Sequence, residues 1–339
     1  MEKYSANPMT MKRINSDATL DAIRQNPGVT KPQISKLIGL SLPTVNKLVA
    51  ELESEQYVIS GDMVDSGGGR PARTYYFNEN RNYVVSVYIA NGAYYISVSN
   101  SENYVLSKET VKHEDGEDWT EELCSLLEVE LHRFAEKKIK AIAVAVPGTV
   151  NDGVLHNIPT IPEWEGVNLK AFLVHRFGLT VVVENDIKAV TMGIYDKYKQ
   201  QSQIENMVFL YIDAGIGAGI VLDGKLYRSR KNFSGELAFL KTGNGKIEQA
   251  LQNAPRTLLL EICSDVINNI ICMLEPDLIA IACKWLQPRD LDVIRKRLKD
   301  SISECYIPEF VLEQIDDNNF SRGLTISAIE LVDKMLRIV

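Results

Sequence analysis

Residues 206–227, "NMVFLYIDAGIGAGIVLDGKLY", combine two apolar runs with three closely spaced glycines. Gly215, Gly217 and Gly219 follow the first run, but their spacing lacks the third glycine of a dinucleotide-binding GxGxxG turn. The residues after them are rich in β-branched side chains and lead into an Asp-Gly turn, which predicts a returning strand where a dinucleotide fold requires a helix. A strand, a glycine turn and a strand instead let backbone N–H groups approach a phosphate.

The chain from Tyr83 onward alternates strand-like runs with helix-like runs, in one set before the glycine turn and a second set beginning with it. Two similar halves predict a two-lobed α/β body with a cleft between the lobes. We assign residues 1–80 to a separate N-terminal domain, residues 81–200 with 321–339 to the first lobe, and residues 201–320 to the second lobe.

Composition limits the classes of protein that this chain can belong to. With 339 residues and 45% hydrophobic side chains, it can bury more than one core, while a net charge of −8 argues against a protein that coats nucleic acid or membrane. No run approaches the roughly 18–20 apolar residues of a membrane span, and the polar start lacks a signal-peptide core, so we expect a cytoplasmic location and no membrane partner. The five cysteines are widely spaced without a CxxC pair, which predicts buried free thiols.

Two short helices are predicted near the N-terminus, after a helical stretch from Ala18 to Gln25. Thr30 and Gln33 form a capping-box pattern, Ile34, Leu37 and Ile38 follow at helical spacing, and Gly39 ends the helix. Ser41 can cap the next helix, with Pro43 in its first turn. Its apolar face carries Val45, Leu48, Val49 and Leu52. Two helices joined by a tight turn predict a helix-turn-helix.

The polar face of the second helix has the residue types that reach base edges and phosphates in a major groove. Residues 30–50 contain three lysines and no acid, whereas residues 1–80 hold nine basic and nine acidic residues. The alternative is a solvated amphipathic helix pair in an unrelated bundle. The predicted DNA-contacting residues of this region are Lys31, Ser41, Pro43, Thr44, Asn46 and Lys47.

Two strand-like runs flank "SGGGRP", residues 66–71, and predict a hairpin wing beside the recognition helix. Glycines let the backbone lie close to a duplex, and an arginine is suited to the negative potential of a minor groove. We therefore add Gly69, Arg70 and Pro71 to the predicted DNA contacts. The alternative is a flexible linker.

The whole chain resembles the ROK family (repressors, open reading frames and sugar kinases) of the actin-like ATPase superfamily. The resemblance rests on the helix-turn-helix followed by "GGGRP", and then "AVAVPGTV", "HNIPTIPEWEG", "VVVENDIKAV", "AGIGAGIVLDGKL", "SGELAF" and "EPDLIAIA" in the family's order. It implies a winged helix-turn-helix followed by a two-lobed actin-like ATPase (ribonuclease H-like) sugar-kinase fold. Only transcriptional regulators of the family carry the N-terminal extension, and their bodies bind sugars as effectors.

The phosphate-handling motifs depart from the kinase pattern. Tyr88 stands where the resemblance places an Asp, and no acid occurs between Arg81 and Glu102 to hold hydrated Mg²⁺. In the second phosphate loop, Ala214 stands where the family has a hydroxyl residue. Asp213 adds a negative charge, and its repulsion from a phosphate charge about 4 Å away is about 4 kcal/mol at an effective dielectric constant of about 20. Ala282-Cys283 replaces the usual adenosine-contacting Gly-Gly. We therefore predict no kinase activity and no nucleotide cofactor.

The family's zinc signature is also absent from the sequence. Phe239 stands in place of its histidine, and no cysteine lies between Cys124 and Cys263, so no metal is expected. Hydrophobic packing around Phe239 is expected to replace the metal as a constraint on the fold.

The sugar-contacting positions implied by the resemblance are better preserved. Their carboxylates and carboxamides form directional hydrogen bonds with hydroxyl groups. They are Asn157, Asn185, Asp186, Glu236 and Glu248. Asp186 occupies the position of the kinase general base, and for Asn185 and Asp186 the alternative is a cap on the helix that follows.

These observations favour a DNA-binding transcriptional regulator, a repressor of carbohydrate metabolism genes. Its expected partners are a double-stranded DNA operator, a sugar or sugar phosphate effector, and a second copy in a homodimer or higher oligomer. One alternative is an active ATP-dependent sugar kinase with a DNA-binding extension. A third possibility is a regulator that binds no ligand and uses its cleft only as a dimerisation scaffold.

Overall fold

The computed structural model describes residues 8–65, 71–114, 116–199, 204–213, 215–242, 245–247 and 255–336. The chain divides into two compact units, Met1–Asn82 and Tyr83–Val339.

The described part of the N-terminal unit contains three helices and a three-stranded sheet in the order β1-β3-β2. Its elements are α1 (Pro8–Gln25), β1 (Val29–Thr30), α2 (Lys31–Ile38), α3 (Leu42–Ser54), β2 (Val58–Val64) and β3 (Ala72–Phe77). β2 and β3 are antiparallel and flank the predicted wing. Ile23, Ile34, Val45 and Val49 are fully buried at the centre of this unit.

Local signals set the ends of α2 and α3. Gln33 Oε1 accepts from the backbone N–H and the hydroxyl of Thr30 at 2.8 Å each, and Gly39 closes α2 in the left-handed conformation. Ser41 Oγ accepts from the backbone N–H of Thr44 at 3.3 Å at the start of α3. The predicted apolar face of α3 is buried at all four positions.

Two expectations for this unit were wrong. α1 begins at Pro8 and not near Ala18, because no helix-breaking residue interrupts residues 9–25 and proline is tolerated in a first turn. Leu37 was predicted to face the core but is 56% exposed, since α2 is only eight residues long and buries Ile34 alone completely.

The first sheet of the second unit has the order β10-β7-β4-β5-β6. β4, β5 and β6 form an antiparallel meander, and β7 and β10 extend it in parallel. The elements of this part are β4 (Tyr83–Ala90), β5 (Ala93–Asn100), β6 (Val105–Lys112), α4 (Trp119–Arg133), β7 (Ile139–Val146), β8 (Thr149–Asn151), β9 (Val154–His156), α5 (Leu169–Phe177) and β10 (Thr180–Asn185). Leu123 and Leu127 of α4 are buried in the core on one face of the sheet.

The second sheet has the order β13-β12-β11-β16-β17. Its strands are β11 (Met207–Ile212), β12 (Ile216–Leu222), β13 (Lys225–Leu226), β16 (Leu278–Cys283) and β17 (Glu309–Leu312). The other elements of this part are α6 (Asp186–Lys199), a separate two-stranded sheet of β14 (Lys241–Thr242) and β15 (Gly245–Lys246), α7 (Arg256–Leu274), α8 (Pro288–Lys299) and α9 (Asp317–Leu336). β11 and β12 are antiparallel, so the predicted strand, turn and strand are confirmed.

Helices α6 and α9 cross at very close range. A Cβ atom on Gly193 would lie 2.0 Å from the backbone oxygen of Asn319, and one on Gly323 would lie 1.8 Å from that of Ala189. α6 packs on the second sheet through Val190 and Ile194. The crossing therefore fixes the position of α6, whose first residue is Asp186, at the end of β10.

Within the described residues, α7 is long and apolar enough to cross a membrane by length and composition alone. It packs through Val266 and Ile267 into the core of the second sheet, and a core helix passes the same test. Cys124 and Cys263 are buried as predicted, but Cys272 and Cys305 are exposed, because each lies on the outer side of its element.

Candidate functional site

The start of α3 presents most of the predicted DNA contacts to solvent. Ser41, Pro43, Asn46 and Lys47 are exposed, and Thr44 is half-buried because its hydroxyl lies 2.8 Å from that of Ser41. The buried positions of α3 lie on the opposite side of the helix. One helix face is thus free to enter a groove.

Two further DNA-contact predictions lie on neighbouring elements. The ammonium of Lys31 stands 5.1 Å from the ring centre of Tyr75, so a cation–π contact holds it at the start of α2. Pro71 is exposed directly before β3. Gly69 and Arg70 lie outside the described residues.

A pocket of about 150 Å³ lies at the start of α6 in the second unit. It is lined by residues 185–188, by Tyr211 and residues 215–218 of the β11–β12 hairpin, and by residues 234–236. Three of the predicted sugar-contacting residues, Asn185, Asp186 and Glu236, are brought together here although they are distant in sequence.

Asp186 is the central acid of this pocket. The backbone N–H of Ile187 and Nδ2 of Asn185 donate to its Oδ1 at 2.7 and 2.9 Å. Burial, followed by the charge of Glu236, raises the pKa of Asp186 from its usual 3.8 to about 6. Asp186 is half-buried and lines the pocket, and an ionised carboxylate can accept more hydrogen bonds than these two.

Asn185 acts chiefly as a helix cap. Its Nδ2 donates to Asp186 and, at 2.8 Å, to the backbone oxygen of Gly148, while its Oδ1 accepts from the backbone N–H of Lys188 at 3.1 Å. With both amide hydrogens and the oxygen engaged, the geometry favours the capping alternative for this residue. Asn185 holds Asp186 in place.

Glu236 faces the pocket from the loop that follows β13. Gly235 adopts a φ of +90°, and a Cβ atom there would lie 1.9 Å from the backbone oxygen of Ala218, so only glycine fits. Burial raises the pKa of Glu236, whereas Lys188 and a hydrogen bond from the Thr149 hydroxyl lower it. The loop is therefore held against β12, and the carboxylate of Glu236 lies in the pocket.

Lys188 was not among the predicted residues, although it lies two positions after Asp186. It is 3% exposed, and its Nζ donates to the backbone oxygen of Asn232 at 2.7 Å and to Oδ1 of Asn232 at 2.8 Å. Burial lowers its pKa. No local pattern distinguishes it from a surface lysine of a helix, because its partner is 44 residues away.

Asn157, another predicted sugar contact, does not line this pocket. The side chain of Asn157 is exposed, and its backbone N–H donates to Oε2 of Glu165 at 2.8 Å. Its loop packs on Gly148, whose oxygen binds Asn185, so it lies near the pocket without lining it. Glu248 lies outside the described residues.

The name phosphate corner is used for Tyr88, Asp213 and the turn of the β4–β5 hairpin, the described residues that the resemblance to sugar kinases assigns to phosphate binding. The ring of Tyr88 stacks between those of Tyr95 and Phe320 at centroid distances of 4.3 and 4.0 Å. Its hydroxyl donates to Asp317, and burial with that carboxylate raises the pKa of Tyr88. Tyr88 is thus a structural residue at this place.

The β4–β5 hairpin of the phosphate corner has a tight turn. Ala90 pairs with Ala93, so only Asn91 and Gly92 form the turn, both with positive φ as in a tight type I′ hairpin. Asp213 forms an ion pair with Lys284, which follows β16. This ion pair offsets part of the negative charge of Asp213, and Ala214 lies outside the described residues.

Phe239 does not form the buried constraint expected in place of zinc. Its side chain is 50% exposed and its ring centre lies 5.2 Å from that of Phe233, which is also half exposed. Within the described ranges, no group of three or more His, Cys, Asp or Glu is arranged to hold a metal ion.

Comparison with known proteins gives matches for both units. Residues 86–245 match the ROK family and residues 18–59 match winged helix-turn-helix DNA-binding domains. The xylose repressor of Caldicellulosiruptor bescii is 28% identical over 240 residues, which cover 68% of this chain and 59% of the repressor. The chain thus spans about three fifths of the length of that relative.

Solved structures share the fold. A ROK family transcriptional regulator that is a homologue of the E. coli Mlc protein has a TM-score of 0.78 at 19% identity, covering 97% of this chain and 98% of its own. The ROK hexokinase from Thermus thermophilus has a TM-score of 0.61 at 18% identity, covering 74% of this chain and 99% of its own. The predicted winged helix-turn-helix and sugar-kinase-type body are confirmed, and the chain contains a ROK family domain after an N-terminal winged helix-turn-helix domain.

Proposed function

We propose that the protein is a sugar-responsive transcriptional repressor of carbohydrate metabolism genes that acts in the cytoplasm and has no kinase activity. The observation that carries the proposal is the contrast within one unit: Asp186 keeps an oxygen available in a small polar pocket, whereas Tyr88 and Asp213 of the phosphate corner are engaged by the protein's own side chains.

The DNA-binding half of the proposal is supported by α3 and by the match of residues 18–59 to winged helix-turn-helix domains. We assign base and phosphate contacts to the exposed residues at the start of α3, with Lys31 and the wing residues Gly69, Arg70 and Pro71 as further contacts. Because such domains read two half-sites, the proposed DNA-binding form is a homodimer on a two-fold operator.

The sugar-binding half is supported by the pocket and by the kinds of protein to which the chain is similar. A relative is named a xylose repressor, and the Thermus neighbour is a hexokinase. We assign direct sugar contacts to Asp186 and Glu236, a positioning role to Asn185, and peripheral contacts to Asn157 and Glu248. Sugar binding changes operator affinity through linkage between the two sites.

Operator selection from random duplexes, followed by displacement with a sugar panel, tests both halves. We expect a preferred duplex whose affinity falls steeply with salt, and at least one sugar that shifts both the melting temperature and the operator affinity. No preference over competitor DNA would exclude the regulator. A preference that no sugar changes, with an unchanged melting temperature, would favour a regulator that binds no ligand.

One observation favours the alternative of an active sugar kinase. A carboxylate with a pKa of about 6 in a pocket is suited to accept a proton from a sugar hydroxyl. The phosphate corner argues against this, since a kinase needs a site for Mg²⁺ and phosphates. Coupled ADP-release measurements with hexoses and amino sugars distinguish a sugar kinase from a regulator without kinase activity. Turnover that disappears in Asp186→Asn would establish the kinase.

A further inference from the structure

Helix α3 begins with a large apolar side chain that lies outside the set of predicted DNA contacts. Leu42 is the first residue of the helix, and its side chain is 41% exposed. It stands between Ser41 and Pro43, which are both exposed and both predicted to contact DNA. An apolar side chain in water gains free energy when a partner covers its surface, so a groove-facing leucine favours an apolar group on the DNA.

The cap of α3 holds the backbone around Leu42 in place. Ser41 Oγ accepts from the backbone N–H of Thr44 at 3.3 Å, and the hydroxyl oxygens of Ser41 and Thr44 lie 2.8 Å apart. Pro43 fixes its own φ in the first turn. Leu42 is therefore presented from an ordered turn, and little backbone freedom is lost when a partner binds it.

The exposed side chains at the start of α3 form two rows of different chemistry. Leu42 and Asn46 are four residues apart, so they are neighbours in one row along the helix. Pro43 and Lys47 are neighbours in the next row by the same spacing, and all four side chains are exposed. One row therefore offers an aliphatic group beside a carboxamide, whereas the other offers a cation.

Base pairs of adenine and thymine present the groups that match the row of Leu42 and Asn46. In the major groove thymine shows a C5-methyl group, and adenine shows the N7 acceptor and N6 donor that suit an asparagine side chain. The first residues of a recognition helix are the ones that approach base edges. Residues 30–50 contain three lysines and no acid, so the surface around Leu42 also suits the charge of DNA.

We propose that Leu42 is a specificity-determining residue that contacts the C5-methyl group of one thymine in each operator half-site. The inference rests on the DNA-binding half of the proposed function, and it names one base and the side chain that reads it. Contact between the two apolar groups removes both from water. A cytosine at the same position lacks the methyl group and leaves the leucine uncovered.

The test uses the full chain and the operator that it selects from random duplexes. Each thymine of one half-site is replaced in turn by uracil, which keeps the base pair and lacks only the methyl group. At one thymine, binding by the wild type should weaken about fourfold, the factor that corresponds to burial of one carbon group. Leu42→Ala should bind the thymine and uracil duplexes equally at that position. Leu42→Met, whose side chain is also long and apolar, should retain the difference.

Lys47→Ala is the matched control from the other row of α3. Loss of a cation should weaken binding to the thymine and uracil duplexes alike and reduce the dependence of affinity on salt. The ratio of the two affinities should stay as in the wild type.

The outcomes separate this inference from the proposed function. Equal binding of every uracil-substituted operator by the wild type overturns the inference, and so does a uracil effect that persists in Leu42→Ala. Either result leaves a DNA-binding repressor intact. A protein that selects no operator rejects the repressor, and the inference with it.

Discussion

The pocket at the start of α6 and the phosphate corner differ in how far protein groups already occupy their hydrogen-bonding and charged atoms. In the pocket at the start of α6, Asp186 accepts hydrogen bonds from two protein donors through one oxygen, and we propose that its carboxylate also contacts the ligand. In the phosphate corner, Tyr88 lies in an aromatic stack with its hydroxyl on Asp317, and Asp213 is paired with Lys284. A site that binds a ligand keeps unsatisfied groups, whereas a site that has become structural satisfies its own.

The two regions also make opposite contributions to the stability of the folded protein. Burial raises the pKa of Asp186, so the ionised side chain destabilises the folded state in the absence of ligand. The stack around Tyr88 buries a large ring between two others and adds to stability. Substitution of Asp186 by a neutral residue should therefore raise the free energy of unfolding, whereas loss of the Tyr88 ring should lower it.

The largest effect is expected from Tyr88→Asp, which restores the acid of the kinase pattern. It removes the stacked ring and places a carboxylate beside Asp317, so the free energy of unfolding should fall by about 3–5 kcal/mol in a denaturant titration. Tyr88→Phe is the matched control and should cost no more than about 1.5 kcal/mol, since only the hydrogen bond is lost. A stable Tyr88→Asp variant that hydrolyses ATP would show that the corner is an intact kinase site.

Asp186→Asn should weaken binding of the effector sugar by roughly 10- to 100-fold, because a hydrogen bond to a charged acceptor is replaced by a neutral one. Operator binding in the absence of sugar should change little. Titration calorimetry and operator binding measure the two effects, with the exposed acid variant Asp292→Asn on α8 as the control. Equal losses of sugar affinity in both variants would contradict a direct contact between Asp186 and the sugar.

The same substitution should stabilise the protein without sugar in a pH-dependent manner. The folded-state pKa of Asp186, about 6, lies above its usual 3.8, so the folded protein holds this proton more tightly than the unfolded chain. That stabilisation is complete below about pH 4 and is lost as the pH rises through 6. Asp186→Asn should therefore gain about 1–2 kcal/mol over the wild type at pH 7.5 and less at pH 5. A gain that is equal at both pH values would show that ionisation is not its cause.

The smallest effect is expected from Lys284→Ala. Its ion pair with Asp213 is partly exposed, with the Lys284 side chain 57% accessible, so the free energy of unfolding should change by less than about 1 kcal/mol. Sugar affinity should be unaffected. A large loss of sugar affinity would mean that the charge of Asp213, which also acts on the pocket residue Tyr211, contributes to sugar binding.

Several features of the fold were predictable because their signals are local. The caps at Thr30, Gly39 and Ser41 lie within a few residues of the helices that they bound. The antiparallel β11–β12 hairpin follows from β-branched runs on either side of a glycine turn. Leu37 was the exception, because the neighbours of a short helix decide which of its apolar residues are buried.

What the sequence determined by itself was therefore the presence of a helix-turn-helix, the strand-turn-strand hairpins, and the positions of acids such as Asp186 and Glu236. Only the tertiary structure decided their roles. It made Asn185 a cap, Lys188 an internal tether to Asn232, and Tyr88 the centre of a stack with a ring 232 residues away, Phe320. The physical reason is that the state of a polar or aromatic side chain depends on partners that distant segments bring to it, and no local pattern records them.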